Sequence, residues 1–294
     1  MDALPYVANV RHRFVTVRGA RVHIAETGAD TAPAVVLLHG FPQHWYAWRS
    51  VLTTLAADHH VIAVDLPGFG WSEPATHGYS TTERARDVVA LLDGLGIDTA
   101  DLVGHDWGAW LAFRVALDAP TRVRRLVSIS ELHPWPLQRR LLPNIWRMWV
   151  TALFEIPGLG ALVQRRRGII RWFLTRDARK AWPAELIDVY AEPTARNATA
   201  GQRLHAAFVM RDIARLVLRR DHRRRFETPT MVITGDQDRY IPPSLIADPT
   251  GRVQTRVVSG GHFLLDDIDD NPDPVTDAIR AWLSQTSALP GLDW

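Results

Sequence analysis

Asp106 stands at the centre of Gly104-His105-Asp106-Trp107-Gly108, between a strand-like run, Ala100-Asp101-Leu102-Val103, and a helical pattern from Ala109 to Leu117. Small residues two before and two after the centre are what a sharp strand-to-helix turn requires, because larger side chains would not fit between the approaching backbones. Such a turn is a nucleophile elbow. Its centre is usually Ser, which suits attack on a carbonyl. A carboxylate is suited instead to displacing a leaving group from an sp3 carbon, which leaves an alkyl ester on the enzyme. A lone Asp before a helix would be read as a cap; here the partners of a nucleophile follow along the chain.

After the strand Thr230–Thr234 comes Gly235-Asp236-Gln237-Asp238-Arg239-Tyr240-Ile241-Pro242, which places two carboxylates at a strand end. Asp238 is the expected orienting acid. After the next strand, Gln254–Val258, the turn Ser259-Gly260-Gly261-His262-Phe263 presents His262, the expected base. Nucleophile, acid and base thus end three strands in that order, an arrangement improbable for scattered surface residues. Upstream, Ala34–Leu38 runs into His39-Gly40-Phe41-Pro42, a turn suited to placing backbone N–H groups beside developing negative charge.

Together these residues resemble an α/β-hydrolase of the epoxide hydrolase and haloalkane dehalogenase branch. The resemblance is carried by His39–Pro42, Asp65–Ser72, Gly104–Ala109, His133-Pro134, Gly235–Pro242 and Gly261–Phe263, which are spread over most of the chain. It implies a mostly parallel eight-stranded sheet with helices on both faces and an inserted helical cap. It also implies an oxyanion hole from the N–H groups of Phe41 and Trp107, with His39, Phe41 and Trp107 contacting substrate. No metal or cofactor is expected. In the implied mechanism Asp106 attacks carbon and His262, held by Asp238, activates water against the ester.

Epoxide hydrolases of this kind typically polarise the departing oxygen with two cap tyrosines. Tyr190 is the one tyrosine in the cap region and is the expected acid; Met210 stands where the second is expected, and His205 is a substitute donor to weigh. The dehalogenase alternative shares the nucleophile, acid and base and would use the Trp107 indole for halide. Phe41 replaces the Asn donor of many dehalogenases, however, and Glu131 lies one position beyond their alternative acid, where Ser130 stands. A scaffold that binds a small ligand without turnover is a third reading, which the intact set of Asp106, Asp238 and His262 disfavours.

The elements that must position these groups follow a strand and helix rhythm. Phe14–Val17 and Arg21–Thr27 read as a hairpin turning at Gly19-Ala20, and alternation from Ala34 onward implies a parallel sheet. From Pro134 to about Glu227 strand patterns stop and the text becomes helical and Trp-rich, with Trp146, Trp149, Trp172 and Trp182. This region is expected to line a hydrophobic pocket. The expected organisation is therefore a core of residues 1–132 and 228–294 with a cap of 133–227. At 294 residues, 47% apolar and 22% charged, the chain has ordinary globular composition. It contains no Cys, which excludes disulfides and thiol chemistry.

Charge is divided unevenly. Residues 133–227 carry 19 basic and 8 acidic groups against 15 and 24 elsewhere. Arg165-Arg166-Arg167 and Arg223-Arg224-Arg225 lack the interleaved aromatics of a nucleic-acid site, so solvated helix faces are expected and no nucleic-acid partner. No apolar run approaches the roughly 20 residues needed to cross a bilayer, and Met1–Tyr6 has no basic segment leading into an apolar one. The expectation is a cytoplasmic monomer or homodimer acting on a small hydrophobic molecule and water.

Overall fold

The computed structural model describes residues 3–179, 181–248, 250–267 and 273–285. Eight strands form one sheet: β1 (Arg11–Val17), β2 (Ala20–Thr27), β3 (Ala34–Leu38), β4 (His60–Val64), β5 (Ala100–His105), β6 (Val123–Ile129), β7 (Thr230–Gly235) and β8 (Gln254–Val258). Their order is β1-β2-β4-β3-β5-β6-β7-β8. β2 pairs antiparallel with β1 and β4, and every pairing from β4 through β8 is parallel. The expected mostly parallel sheet is borne out.

The central strands explain why they read as continuous apolar runs. Every residue of β3, β4 and β5 is buried, because parallel strands are covered on both faces and gain nothing from polar alternation. The hairpin turns one residue earlier than expected. Arg18 and Gly19 have φ of 45° and 87°, and Val17 pairs with Ala20. Two positive-φ residues match the right-handed twist of the strands they join.

Helices follow the strands: α1 (Arg49–Leu55), α2 (Thr81–Gly94) and α3 (Trp107–Asp118). Ser80 caps α2 by accepting from the Glu83 N–H at 3.3 Å, the N-cap half of the Ser-x-x-Glu signature. At the far end of the chain Asp273 caps the helix Pro274–Leu283 through the N–H groups of Val275 and Thr276.

Between β6 and β7 the described residues form helices and no strand. The longest are Arg167–Thr175, Ala184–Arg196 and Ala198–Ala207, the last running into a π-helical turn, Phe208–Ile213. Several arginines of this segment pair with nearby acids on exposed surface, as in Arg167–Glu192 and Arg171–Asp188, in keeping with solvated faces. Among the described residues no helix is long and apolar enough to cross a membrane.

Candidate active site

Parallel pairing brings the carboxyl ends of β3, β5, β6, β7 and β8 to one edge, where the loops carrying the candidate residues meet. Asp106 sits at φ 51° and ψ −126°, between β5 and α3. A non-glycine residue in that region is strained, and surrounding packing must enforce it. The neighbours show how. A Cβ on Gly104 would lie 2.4 Å from the Ala109 backbone N, and one on Gly108 would lie 2.0 Å from the Leu38 carbonyl oxygen. The two glycines let β5, α3 and β3 close around the turn.

The same closeness delivers the oxyanion loop. Phe41 N–H donates to Asp106 Oδ2 at 2.8 Å, and a Cβ on Gly40 would lie 2.4 Å from that oxygen. Trp107 begins α3, so its N–H belongs to the first turn, which has no intrahelical acceptor. The other carboxylate oxygen, Oδ1, lies 3.7 Å from His262 Nε2. His262 Nδ1 is 3.0 Å from Asp238 Oδ2, while Asp238 Oδ1 accepts from the N–H groups of Tyr240 (2.9 Å) and Ile241 (2.8 Å). Asp106, His262 and Asp238 are thus brought together in one chain of contacts.

His262 is also fixed through its backbone. Its N–H donates to Asp177 Oδ2 at 2.7 Å, and its carbonyl accepts from His105 Nε2 at 2.9 Å. Burial pulls the His105 imidazole down to about 4, helped by His262, so His105 is a neutral strut. Burial alone would also discharge His262, but Asp238 and Asp106 on either side outweigh it and hold the imidazole well above its ordinary value. For Asp238, burial favours the neutral acid; the charge and hydrogen bond of His262 and the two backbone donors reverse this and hold it below the usual range.

A pocket opens over Asp106, lined on the core side by Phe41, Trp107, Glu131, Tyr240, Ile241 and His262. Thr151, Phe173, His205 and Phe208 close it from the helical segment. Glu131 follows Ser130, whose φ is 51°, and one of its oxygens accepts from Leu132 N–H at 2.7 Å. Burial, and then the charge of Asp106, push its carboxyl well above the ordinary value. It is Asp238, not Glu131, that holds His262 Nδ1.

Three expectations are corrected. Tyr190 is fully buried outside the pocket, and its hydroxyl donates to Asp266 Oδ2 at 2.8 Å. Asp266 also accepts from Gln43 and pairs with Arg49, so Tyr190 fastens the helical segment to the core. His39 does not reach the pocket. Its Nδ1 hydrogen bonds to the Gly40 carbonyl and its Nε2 accepts from Leu66 N–H, which leaves both nitrogens committed to shaping the oxyanion loop. Met210 is 78% exposed, because it lies in the π-helical turn, whose wider winding departs from the α-helical phase; Phe208 lines the pocket instead.

The tryptophans of the helical segment stand away from the pocket lining. Trp146, Trp149 and Trp172 are exposed, and Trp182 is buried against Asp267 and Phe263. Sequence reasoning passed over Tyr240, although a tyrosine two residues beyond the strand-end acid was a readable signal.

Residues 33–267 match the family model described as alpha/beta hydrolase fold. The chain belongs to that family. It is 43% identical over 124 residues to Epoxide hydrolase 2 of Siraitia grosvenorii, a stretch covering 41% of this chain and 39% of that relative. The match thus spans well under half the length of that curated relative. Among solved structures, Cfl2 of Burkholderia cenocepacia is 29% identical with a TM-score of 0.77, covering 93% of this chain and 96% of its own. Epoxide hydrolase VrEH1 of Vigna radiata shares the fold at 21% identity and a TM-score of 0.75, covering 95% and 99%.

Proposed function

We propose that this protein hydrolyses epoxides to vicinal diols through an ester on Asp106. The observation that carries the reading is the split environment of the Asp106 carboxylate. Oδ2 is held by Phe41 N–H while Oδ1 lies on the His262 side, and the residue lines the pocket. The names of curated relatives such as Epoxide hydrolase 2 support it.

In the first step Asp106 Oδ1 bonds to an oxirane carbon as the carbon–oxygen bond of the ring breaks. Its electron pair passes to the ring oxygen, which takes up a proton. Esterification removes the charge on Asp106 that helps His262 keep its proton. The imidazole becomes a base once the ester exists, when a base is needed.

In the second step His262 Nε2 takes a proton from water and the hydroxide attacks Cγ of Asp106. Negative charge gathers on Oδ2, beside Phe41 N–H. Collapse releases the diol and restores the carboxylate. The upward shift of Glu131 fits this scheme, since a second carboxylate charge beside Asp106 would repel the charge passing through the site.

The test is a matched pair of substrates, an epoxide and an alkyl bromide on the same carbon skeleton, with diol and bromide release scored together. Diol formation faster than bromide release is expected. Bromide release with no diol from any epoxide would replace this reading with the dehalogenase one.

A further inference from the structure

We propose that the oxygen of the opening epoxide is received by His205, from the helix Ala198–Ala207, and Tyr240, from the loop after β7, in place of a pair of cap tyrosines. The inference rests on the epoxide reading and deepens it. Among the residues lining the pocket, these two alone carry buried side-chain nitrogen or oxygen atoms with no hydrogen-bond partner among the described residues: both ring nitrogens of His205, and the Tyr240 hydroxyl. His205 is 1% exposed and Tyr240 7%. Leaving a buried polar group unpaired is unfavourable. Two such groups converging on a pocket that also holds a nucleophile are placed to be paired by what enters it.

Each ring packs against immediate neighbours of the nucleophile. The His205 ring packs edge-on against Trp107, with centroids 4.0 Å apart, and against Phe41 at 4.6 Å. These are the residue following Asp106 and the one that donates to it. The Tyr240 ring stands edge-on to His262 at 5.0 Å. Its backbone N–H is held by Asp238, so the phenol is indexed to the same carboxylate that orients the base.

Both groups are present as neutral donors. Burial drives His205 well below its ordinary value and pushes the Tyr240 phenol up, so one ring nitrogen carries a hydrogen and the hydroxyl keeps its own. As the Asp106–carbon bond forms, the ring oxygen accepts a hydrogen bond from His205 and the proton of Tyr240. Once Asp106 is esterified, His262 passes its proton to the tyrosinate, and the neutral imidazole then takes a proton from the attacking water, which restores its resting form. The cycle consumes one epoxide and one water and yields one diol.

The experiment measures ester formation on Asp106 by rapid quench and intact-protein mass, with styrene oxide and with 2-phenylethyl bromide. Bromide departs without needing a proton. Tyr240→Phe and His205→Phe should each slow ester formation from styrene oxide by roughly 10- to 100-fold, the range for losing a positioned donor. Reaction with the bromide should stay within about threefold, by the same reasoning that no oxyanion develops there. His205→Gln, which keeps an N–H donor, should restore most of the rate. Epoxide rates within about threefold of the parent in both Phe variants would overturn the proposal, since a used donor contributes more than that. Equal slowing of both electrophiles would overturn it too, by showing a packing role. If the parent forms an ester from the bromide and from no epoxide, the epoxide reading itself has failed, which is a distinct result.

Discussion

Replacing Asp238 by Asn tests the relation between His262 and its partner through hydrogen-bond direction. Asp238 Oδ1 accepts two backbone N–H groups, from Tyr240 and Ile241, at 2.9 and 2.8 Å. An Asn at this position must keep its carbonyl oxygen toward those two donors, which turns its NH2 toward His262 Nδ1. That nitrogen, 3.0 Å away in the parent, must then accept, so the imidazole carries its hydrogen on Nε2, facing Asp106. In that tautomer Nε2 cannot take a proton from water.

The same tautomer error lowers turnover about 10⁴-fold in serine proteases, which is about 5 kcal/mol of barrier. Here the loss falls on the second step alone. Rapid-quench mass spectrometry of Asp238→Asn with an epoxide should show ester forming at a rate close to the parent's and then persisting. Loss of Asp238 also removes the strongest support for the His262 proton, so the acid limb of any residual hydrolysis should move to lower pH. Ester hydrolysis within about tenfold of the parent would refute the reasoning, because a wrong tautomer costs far more.

Two other substitutions follow from the same structure. A carboxyl whose folded pKa is raised costs stability as pH climbs above its unfolded value, and the cost stops growing only above the folded one. Glu131→Gln should therefore be more stable than the parent by a margin that widens from about pH 4.5 upward, measured as melting temperature across pH; a flat or reversed difference would contradict the upward shift of Glu131. Tyr190→Phe deletes a hydrogen bond to the Asp266 carboxylate and should cost roughly 1–3 kcal/mol in denaturant unfolding, with ester formation from an epoxide unchanged within a few-fold. Unchanged stability with slowed ring opening would return Tyr190 to the role of acid.

The parts legible in the sequence are those where backbone closeness dictates residue type. Gly104 and Gly108 announce the elbow because nothing larger fits against Ala109 and Leu38. Asp238 and His262 are legible because each ends a strand of a parallel sheet, whose topology sends them to one edge. The helical segment obeys no such rule. Which face of a helix meets the pocket depends on long-range packing: Tyr190 turns to the Asp266 cluster, and His205 slides between Phe41, Trp107 and Phe154. The π-helical turn at Phe208–Ile213 then puts Met210 outside. His39 was misread for a related reason. Its loop is recognisable, but the acceptor at Gly40 and the donor at Leu66 that claim its ring come from the fold.

The central claim is that Asp106 itself bonds to the substrate, and a single turnover in oxygen-18-labelled water with enzyme in excess tests it most directly. If water attacks Cγ of an Asp106 ester, the label must appear in the Asp106 side chain. The new hydroxyl of the diol must then carry the unlabelled oxygen that Asp106 supplied. Proteolysis and mass spectrometry of the peptide containing Asp106, together with mass analysis of the diol, read both outcomes at once. Label in Asp106 and none in the first-turnover diol is the predicted result. Label in the diol with an unlabelled Asp106 would mean that water attacks the substrate directly, and the nucleophilic role assigned to Asp106 would be wrong.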